Sequence, residues 1–269
     1  MQHAINISTR GLGLTCPNPS VGCVIVNKNI IVGRGVTAKG GRPHAETIAL
    51  EMAGNKAKGS TVYVTLEPCN HFGETAPCCD ALISAGVREV VVATLDPDKR
   101  VSGKGLDQLK KAGIEVNLGL CKEQAISINR SFIHRNLTGS SYGVLKWAMS
   151  LDGRLGLKNG ESKWITGSQA RRRVHAMRAE VDAVLVGIGT ALTDNPKLTC
   201  RLAGMENLSP IRIVLDPRLE LPLTSELANS STENATWLIT GLDVDTSRLS
   251  LLRGLGIEVI QIASDENGH

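Results

Sequence analysis

The chain has 269 residues, a length typical of two domains of about 100–200 residues each. Hydrophobic residues make up 42% and charged residues 21%, which excludes wholesale disorder. The net charge is only +4, and no apolar run approaches the roughly 18–20 residues that span a bilayer. We therefore expect neither a nucleic-acid partner nor a membrane partner.

In chain order, the first 118 residues alternate between helical and strand-like patterns. This alternation predicts a mostly parallel sheet covered by helices on both faces. In the helix predicted over 44–53, Ile48, Ala49 and Met52 form the apolar stripe. The predicted helices are 2–12, 44–53, 77–85 and 105–112, and the predicted strands are 21–26, 30–36, 61–66, 89–94 and 114–118.

The rest of the chain predicts a second α/β unit. A long helix over 121–137 ends in a turn-forming cluster at 138–141, where we place the domain boundary. The predicted organisation is a first domain over 1–118, a linker over 119–141 and a second domain over 142–269. Its predicted elements are a strand at 142–148, a helix at 168–179 capped by Ser168, and strands at 183–187, 211–215, 236–240 and 258–262.

Three short segments of the first domain carry candidate metal ligands. His44, Cys69 and Cys78 supply three of the four tetrahedral positions of zinc and leave the fourth to water, as in a catalytic site. Glu46, two residues from the histidine, is placed to move a proton between that water and a departing amine. Cys78 follows Pro77 at a predicted helix start, so we expect the helix dipole to favour its thiolate.

The other cysteines offer alternatives to this assignment. Cys79 competes with Cys78 as a ligand, and a purely structural zinc site is a second alternative. The N-terminus lacks the apolar stretch of a signal peptide, so the expected compartment is the cytoplasm, where thiols stay reduced. The remaining cysteines are expected to be inert filling residues: Cys16, Cys23, Cys121 and Cys200.

The pattern H-A-E followed by two P-C pairs is typical of zinc deaminases. The segments "PNPSVGCVIV", "EPCNHFGETAPC" and "DPDKRVSGKGLDQLKKAGIEV" resemble the bifunctional riboflavin-biosynthesis deaminase–reductase family, and the resemblance covers essentially the whole chain. It implies a cytidine-deaminase-like α/β/α sandwich followed by a dihydrofolate-reductase-like α/β domain. The implied activities are zinc-dependent deamination of a pyrimidine ribonucleotide and NADPH-dependent reduction of its ribose, with one Zn²⁺ per chain.

The resemblance also implies roles in the first domain. Asn18 would hydrogen-bond the pyrimidine edge, and His71 would contact the substrate; a turn residue and a plain loop histidine are the alternatives. The family has a basic residue and a second proline before the last cysteine, where this chain has Glu74 and Ala76. A phosphate contact at that place is therefore not expected.

The second domain resembles the reductase half of the same family in "VLKWAMSLDGRLG", "GESKWITG" and "HAMRAEVDAVLVGIGTALTDNPKLTCR". Lys146 and Asp194 are implied in proton transfer, and Arg178 and Arg201 suit a phosphate, which a guanidinium binds bidentately. A solvated ion-pair role is the alternative for the arginines. The implied NADPH residues are Ala148, Trp164, Thr190 and Asp194, and the implied substrate residues are Ser162, Arg178, Leu198 and Arg201.

The family continues past His269 with a glycine-rich segment that contacts NADPH, so we expect an incomplete reductase domain with impaired reduction if the chain ends there. Two other functions stay open. One is a deaminase alone, whose second half is vestigial or mediates dimerisation. The other is a nucleic-acid-editing deaminase, against which the weak charge and the few aromatic residues argue. The family resemblance implies a homo-oligomer, a dimer or tetramer.

Overall fold

The computed structural model describes residues 1–72, 76–98, 102–158 and 161–263. The chain forms two compact units, Met1–Leu145 and Lys146–His269. In the described part of the chain, no helix is both long enough and apolar enough to cross a membrane. Of the residues singled out from the sequence, Glu74 lies outside the described ranges.

The first unit contains six helices and five strands among its described residues. The helices are α1 (Gln2–Ser8), α2 (Ala45–Ala53), α3 (Cys78–Ser84), α4 (Lys104–Lys111), α5 (Lys122–Ile128) and α6 (Arg130–Thr138). The strands are β1 (Gly22–Asn27), β2 (Ile30–Val36), β3 (Thr61–Val64), β4 (Glu89–Val92) and β5 (Glu115–Leu118). Each strand lies within two residues of a predicted one.

The sheet of the first unit has the order β2-β1-β3-β4-β5 and is mixed. The strands β3, β4 and β5 are parallel, whereas β1 runs antiparallel to both β2 and β3. Lys28 and Asn29 have φ of 48° and 62°, the left-handed conformation of a tight hairpin turn. Because a hairpin reverses the chain, the prediction of a mostly parallel sheet is right only for its β3–β5 half.

Two glycines let α2 lie unusually close to β2. A Cβ atom at Gly33 would collide with the carbonyl oxygen of Ala49, and one at Gly35 with that of Ala45. The buried stripe of α2 is therefore made of small residues, Ala45, Ala49 and Ala53, and Met52 of the predicted stripe is exposed. This close packing fixes the N-terminal end of α2 against the sheet.

The predicted helix over 121–137 is two helices, because the chain breaks at Asn129. Asn129 has φ −100° and ψ 23°, and its side chain is buried. Its amide nitrogen donates to the Ser20 carbonyl at 2.9 Å, and its amide oxygen accepts from the Ser20 backbone N–H at 2.9 Å. The Asn129 side chain thus makes the two backbone hydrogen bonds that a neighbouring strand would otherwise make with Ser20. It anchors α5 and α6 to the start of β1.

We expect Asn129→Ala to lower the free energy of unfolding of the first unit by about 2–4 kcal/mol, because two buried backbone groups lose their partner. Urea unfolding followed by far-ultraviolet circular dichroism measures this change. The matched control is Asn136→Ala, since Asn136 is exposed and its side chain donates to the Phe132 carbonyl of its own helix. Equal losses in the two variants would contradict an anchoring role of Asn129.

The second unit contains four helices and four strands among its described residues. The helices are α7 (Ser168–Glu180), α8 (Ile188–Asp194), α9 (Glu226–Asn229) and α10 (Thr246–Gly254). The strands are β6 (Ala183–Gly187), β7 (Ile211–Leu215), β8 (Thr236–Thr240) and β9 (Glu258–Gln261). The sheet order is β6-β7-β8-β9, and all three pairings are parallel.

One face of this sheet is the core of the second unit. Val214 and Leu238 are fully buried there and pack with Leu252 of α10. The opposite face is more open, and Leu185 and Leu215 are exposed on it. The second unit is thus built as a parallel sheet packed mainly on one side, although near-continuous apolar strands such as these are typical of parallel sheets covered on both faces.

Two predicted features of the second unit are wrong. Residues 142–148 form no strand. No strand among the described residues pairs with them, and Leu145 in this segment is exposed. Helix α7 is capped by Gly167 and not by Ser168, since Ser168 already has a helical backbone and makes no capping hydrogen bond.

Candidate functional site

Three potential metal ligands converge in the first unit. His44 Nδ1 lies 3.3 Å from Cys78 Sγ and 3.6 Å from Cys69 Sγ, and the ligating atoms of the three residues lie within 4.8 Å of one another. Two ligands of a tetrahedral zinc at about 2.0–2.3 Å are separated by roughly 3.5 Å. The spacing of the three donors therefore fits one zinc ion with a fourth position left for a small molecule.

Two of the ligands lie at helix starts and the third lies on a loop. His44 is the residue before α2, Cys69 follows β3, and Cys78 is the first residue of α3. The backbone N–H of Cys78 donates to Cys69 Sγ at 3.3 Å, and that of Cys79 donates to the Cys69 carbonyl at 3.1 Å. These two bonds attach the Cys69 loop to the N-terminus of α3.

The side chain of Cys79 points away from this cluster. Its thiol is buried and donates to the carbonyl oxygens of Pro68 at 3.4 Å and Gly105 at 3.6 Å. Gly105 is required here, because a Cβ would collide with Pro68. Of the two adjacent cysteines, Cys78 is the one that the structure places with His44 and Cys69.

The two clustered thiols differ in acidity. The pKa of Cys69 is lowered to about 4, mainly because the Cys78 thiol donates to it and also because His44 does. The same hydrogen bond, together with burial, raises the pKa of Cys78. The backbone N–H at the start of α3 donates to the Cys69 sulfur, and the expectation that the helix start favours the Cys78 thiolate stays a prediction.

Glu46 lies in the first turn of α2 and is only 3% exposed. Burial raises its pKa to about 7; the charge of Cys69 acts in the same direction, and that of His44 opposes it. A carboxyl group that titrates near neutral pH both accepts and returns a proton readily. The position and acidity of Glu46 suit proton transfer beside the three ligands.

The two predicted substrate residues of this unit lie on loops near the ligands. Asn18 is half-buried, and its amide nitrogen donates to the Gly41 carbonyl at 2.9 Å, close in sequence to His44. Its amide oxygen is not used in that bond. In the described part of the chain, buried His71 Nδ1 and its neighbour Asn70 Oδ1 have no hydrogen-bond partner. Such unpaired atoms are costly unless a ligand pairs with them.

Glu67 is a supporting residue that the sequence analysis missed. It is buried, and its carboxylate accepts from the backbone N–H groups of Gly103 at 2.9 Å and Gly105 at 3.0 Å, with longer bonds from Asp96 and Leu106. The carboxylate thus joins the Cys69 loop to the N-terminus of α4. Its only signal in the sequence was its place two residues before Cys69.

Asp96, beside Glu67, gives a pH-dependent prediction. Burial raises its pKa from 3.8 to about 6, so ionised Asp96 destabilises the folded state above about pH 6 and has no such effect below about pH 4. We expect Asp96→Asn to increase the free energy of unfolding at pH 8 by about 1–2 kcal/mol after allowance for partial exposure. The Asn oxygen can still accept from the Asp98 N–H, which lies at 2.8 Å.

The gain should disappear near pH 3, below the ordinary pKa of 3.8, where the wild-type carboxyl is mostly protonated in both the folded and the unfolded state. Urea unfolding at several pH values measures it, with Asp107→Asn, an exposed carboxylate of α4, as the control. A gain in Asp96→Asn that does not depend on pH would contradict the assignment of a raised pKa.

The second unit has a cavity of about 410 Å³. It brings together five of the predicted reductase residues: Trp164, Arg178, Asp194, Leu198 and Arg201. The remaining lining residues are Lys163, Asn195, Pro196 and Lys197. Two arginines and two lysines against the single carboxylate of Asp194 make this cavity cationic, and it suits an anionic ligand.

Backbone contacts hold the two arginines of this cavity. Arg178 Nη1 donates to the Thr199 carbonyl at 3.0 Å, and the backbone N–H of Arg201 donates to His175 Nδ1 at 3.3 Å. Burial and the nearby Arg201 lower the pKa of Arg178. Neither arginine forms an ion pair with any residue that the structure describes, so both guanidinium groups keep donors for a ligand.

Buried Arg212 supports the loop of this cavity that contains Lys197. Its guanidinium donates to the Lys197 carbonyl at 3.3 Å, the Leu227 carbonyl at 3.1 Å and the Ser230 hydroxyl at 2.8 Å. Burial lowers its pKa to about 10, which leaves it charged. It thereby ties β7 to α9 and to the Lys197 loop.

Four predicted reductase residues do not line this cavity. Ser162 lines a neighbouring cavity of about 360 Å³, together with Trp164. Lys146, Ala148 and Thr190 line neither cavity, and their roles stay predictions. Lys163 and Lys197, in contrast, line the main cavity and were missed, although each is a basic residue adjacent or nearly adjacent to a predicted site residue.

Two protein-family models match the chain, one over its first part and one over its second part. Residues 1–94 match the family model described as the cytidine and deoxycytidylate deaminase zinc-binding region. Residues 141–266 match the model described as the RibD C-terminal domain. The two matches confirm the predicted fold class.

The chain is similar to the riboflavin biosynthesis protein RibD of Aquifex aeolicus, with 46% identity over 97% of this chain and 72% of the relative. It is 50% identical to RibD of Escherichia coli over 80% of this chain and 62% of the relative. Among solved structures, Acinetobacter baumannii RibD matches with a TM-score of 0.84 and 44% identity, over 99% of this chain and 74% of that one. A Thermotoga maritima deaminase/reductase matches with a TM-score of 0.84 and 36% identity, over 98% and 80%.

Proposed function

Because this chain belongs to the RibD family of bifunctional riboflavin-biosynthesis enzymes, we propose that its two units carry out successive steps on one pyrimidine ribonucleotide. The first unit hydrolytically deaminates 2,5-diamino-6-(5-phosphoribosylamino)pyrimidin-4-one. The second reduces the ribosyl chain of the product to ribityl. The two cofactors are Zn²⁺ and NADPH. We place the boundary between the domains near 141–146, where the second family match and the second compact unit begin.

The convergence of His44, Cys69 and Cys78 beside Glu46 carries this proposal. The three side chains hold the zinc, which supplies hydroxide at neutral pH when bound. Deamination exchanges the 2-amino group for oxygen, with water consumed and ammonia released. Glu46 takes a proton from the attacking water and delivers it to the departing amine, and its pKa of about 7 suits both transfers.

Two loop residues of the first unit orient the pyrimidine. Asn18 presents its amide oxygen to a ring N–H or amino group, because its amide nitrogen is already bonded to Gly41. His71 pairs its buried Nδ1 with the substrate, which removes an otherwise unsatisfied polar atom. Together they hold the reacting carbon near the three zinc ligands and Glu46.

In the second unit, the cationic cavity binds the substrate through its phosphate. Arg178 and Arg201 are placed to bind the phosphate, since each guanidinium keeps free donors. Ser162 and Leu198 complete the substrate contacts, whereas Ala148, Trp164, Thr190 and Asp194 hold NADPH. Reduction transfers a hydride from NADPH and requires one proton. Lys146 and Asp194, to which the family resemblance gives this role, assist the proton transfer.

The test is mass-spectrometric analysis of the products that this chain forms from the diaminopyrimidinone ribonucleotide. Without NADPH, we expect the deaminated product alone; with NADPH, the expected further product carries two additional hydrogens. Arg201→Ala should leave the first product unchanged and suppress the second. Deamination without any reduction would favour a deaminase whose second unit is vestigial, and deamination of an oligonucleotide in place of the free nucleotide would favour an editing enzyme.

We also propose that the chain assembles as a homo-oligomer, a dimer or tetramer, as its family resemblance implies. Light scattering coupled to size-exclusion chromatography measures its mass in solution, and a monomer at micromolar concentration would contradict the proposal. The cytoplasmic location stays a prediction from the sequence.

A further inference from the structure

An arginine of α7 covers one face of the exposed tryptophan in the second unit. The Arg171 guanidinium carbon lies 4.3 Å from the centroid of the Trp164 ring, a distance typical of a stacked cation–π pair. Trp164 itself is 70% exposed, although it lines both cavities of this unit. One face of the indole is therefore covered by the guanidinium, and the ring remains widely open to solvent.

The same guanidinium also fixes the backbone next to this ring. Arg171 Nη1 donates to the Thr166 carbonyl at 2.6 Å, so one side chain holds the loop both at its indole and at a carbonyl two residues later. A lysine could supply the charge, but not the planar stack and the directed bond at once. Because the anchor lies on a regular helix, the loop has a defined position on the cavity wall.

We infer that Arg171 is a positioning residue, which holds Trp164 as a one-sided stacking platform for a planar ring of NADPH. The inference rests on the proposed function, which assigns Trp164 to the cofactor. A planar aromatic ring that stacks on the open face replaces water there, while the guanidinium keeps the indole from turning away. Fixing the platform before binding lowers the ordering cost of the ligand, which is the usual benefit of preorganisation.

The first test measures the stack without any cofactor. Incorporation of 5-fluorotryptophan gives one ¹⁹F resonance for each of the three tryptophans, and Trp164→Phe identifies the one from Trp164. We expect Arg171→Ala and Arg171→Lys to shift and narrow the Trp164 resonance and to leave the other two unchanged. Arg172→Ala, an exposed arginine on the same helix, is the matched control. An unshifted Trp164 resonance in Arg171→Ala would overturn the inference.

The second test measures the affinity for NADPH by titration of its fluorescence. We expect Arg171→Ala and Arg171→Lys to raise the Kd for NADPH on the order of tenfold, and Arg172→Ala to change it less than twofold. In the double variant with Trp164→Ala, the loss of Arg171 should add nothing, because both residues act through one platform. Full affinity in Arg171→Lys would show that charge alone matters and would also overturn the inference.

The two assignments fail in different ways. If Trp164→Ala leaves the Kd for NADPH unchanged, or if the chain binds no NADPH, the proposed cofactor role of Trp164 is wrong, and the inference drawn from it falls as well. If Trp164→Ala weakens binding and Arg171→Ala does not, the cofactor role stands and only the positioning role of Arg171 is rejected.

Discussion

Glu46→Gln should retain the fold and bound zinc but lose deaminase activity by about 10²–10⁴-fold, the usual cost of removing one general acid–base group. Glutamine has nearly the same volume as glutamate, so it fits the site, where Glu46 is 3% exposed. It cannot take up and return a proton near neutral pH. Since the wild-type carboxyl has a pKa of about 7 and lies beside the three ligands, its loss removes the group best suited to that transfer.

The measurement is kcat for release of ammonia, with zinc content determined by elemental analysis of the same sample. Glu51→Gln is the matched control, because Glu51 is an exposed carboxylate on the same helix. Both variants should bind zinc fully, and only Glu46→Gln should be inactive. Turnover of Glu46→Gln close to that of the wild type would move the proton role elsewhere, with His71 as the first residue to test.

The ligand set could be predicted from the sequence because its signals are local. His44 and Cys78 lie at helix starts and Cys69 lies on the loop after β3, and the sequence indicates these places through Pro77 and the β-branched run before Cys69. The strands of the second unit were also predictable, since their apolar runs are continuous and bounded by polar turns. Such features depend on neighbours within about ten residues.

The features that were missed depend on partners far away in the chain. The break between α5 and α6 comes from a bond between Asn129 and Ser20, which are 109 residues apart. The alanine stripe of α2 is buried because two glycines of β2 allow close approach. A strand was predicted at 142–148, but a strand also needs a neighbouring strand to pair with, which the local sequence does not reveal.

In the cavity of the second unit, too, some residues could be predicted from the sequence and others could not. The positions of Arg178 and Arg201 came from resemblance to a family, and the structure places both on one cavity wall. The stack of Arg171 on Trp164 had no sequence signal, because three consecutive arginines, 171–173, look alike as a charged run. Only the geometry distinguishes the one that contacts the indole.

Removing a zinc ligand should have the other large effect. In Cys69→Ala and Cys78→Ala we expect zinc content to fall from one ion per chain to well below one-tenth, with deaminase activity at background. The two thiols and His44 Nδ1 provide all three donors of the cluster, and two remaining donors bind zinc far more weakly than three. The folded state also loses the stabilisation that a bound ion gives, so the melting temperature should fall.

Cys79→Ala is the control that makes this prediction specific. Its thiol donates to the carbonyls of Pro68 and Gly105 and is turned away from the cluster, so the variant should keep zinc and activity while losing about 1–2 kcal/mol of stability. Reduction of the deaminated intermediate should continue at the wild-type rate in all three variants, because its residues lie in the other unit. If Cys79→Ala lost zinc and Cys78→Ala kept it, the ligand would be Cys79. Full zinc content in both Cys69→Ala and Cys78→Ala would contradict the three-ligand site, because no other cluster of such donors was found among the described residues.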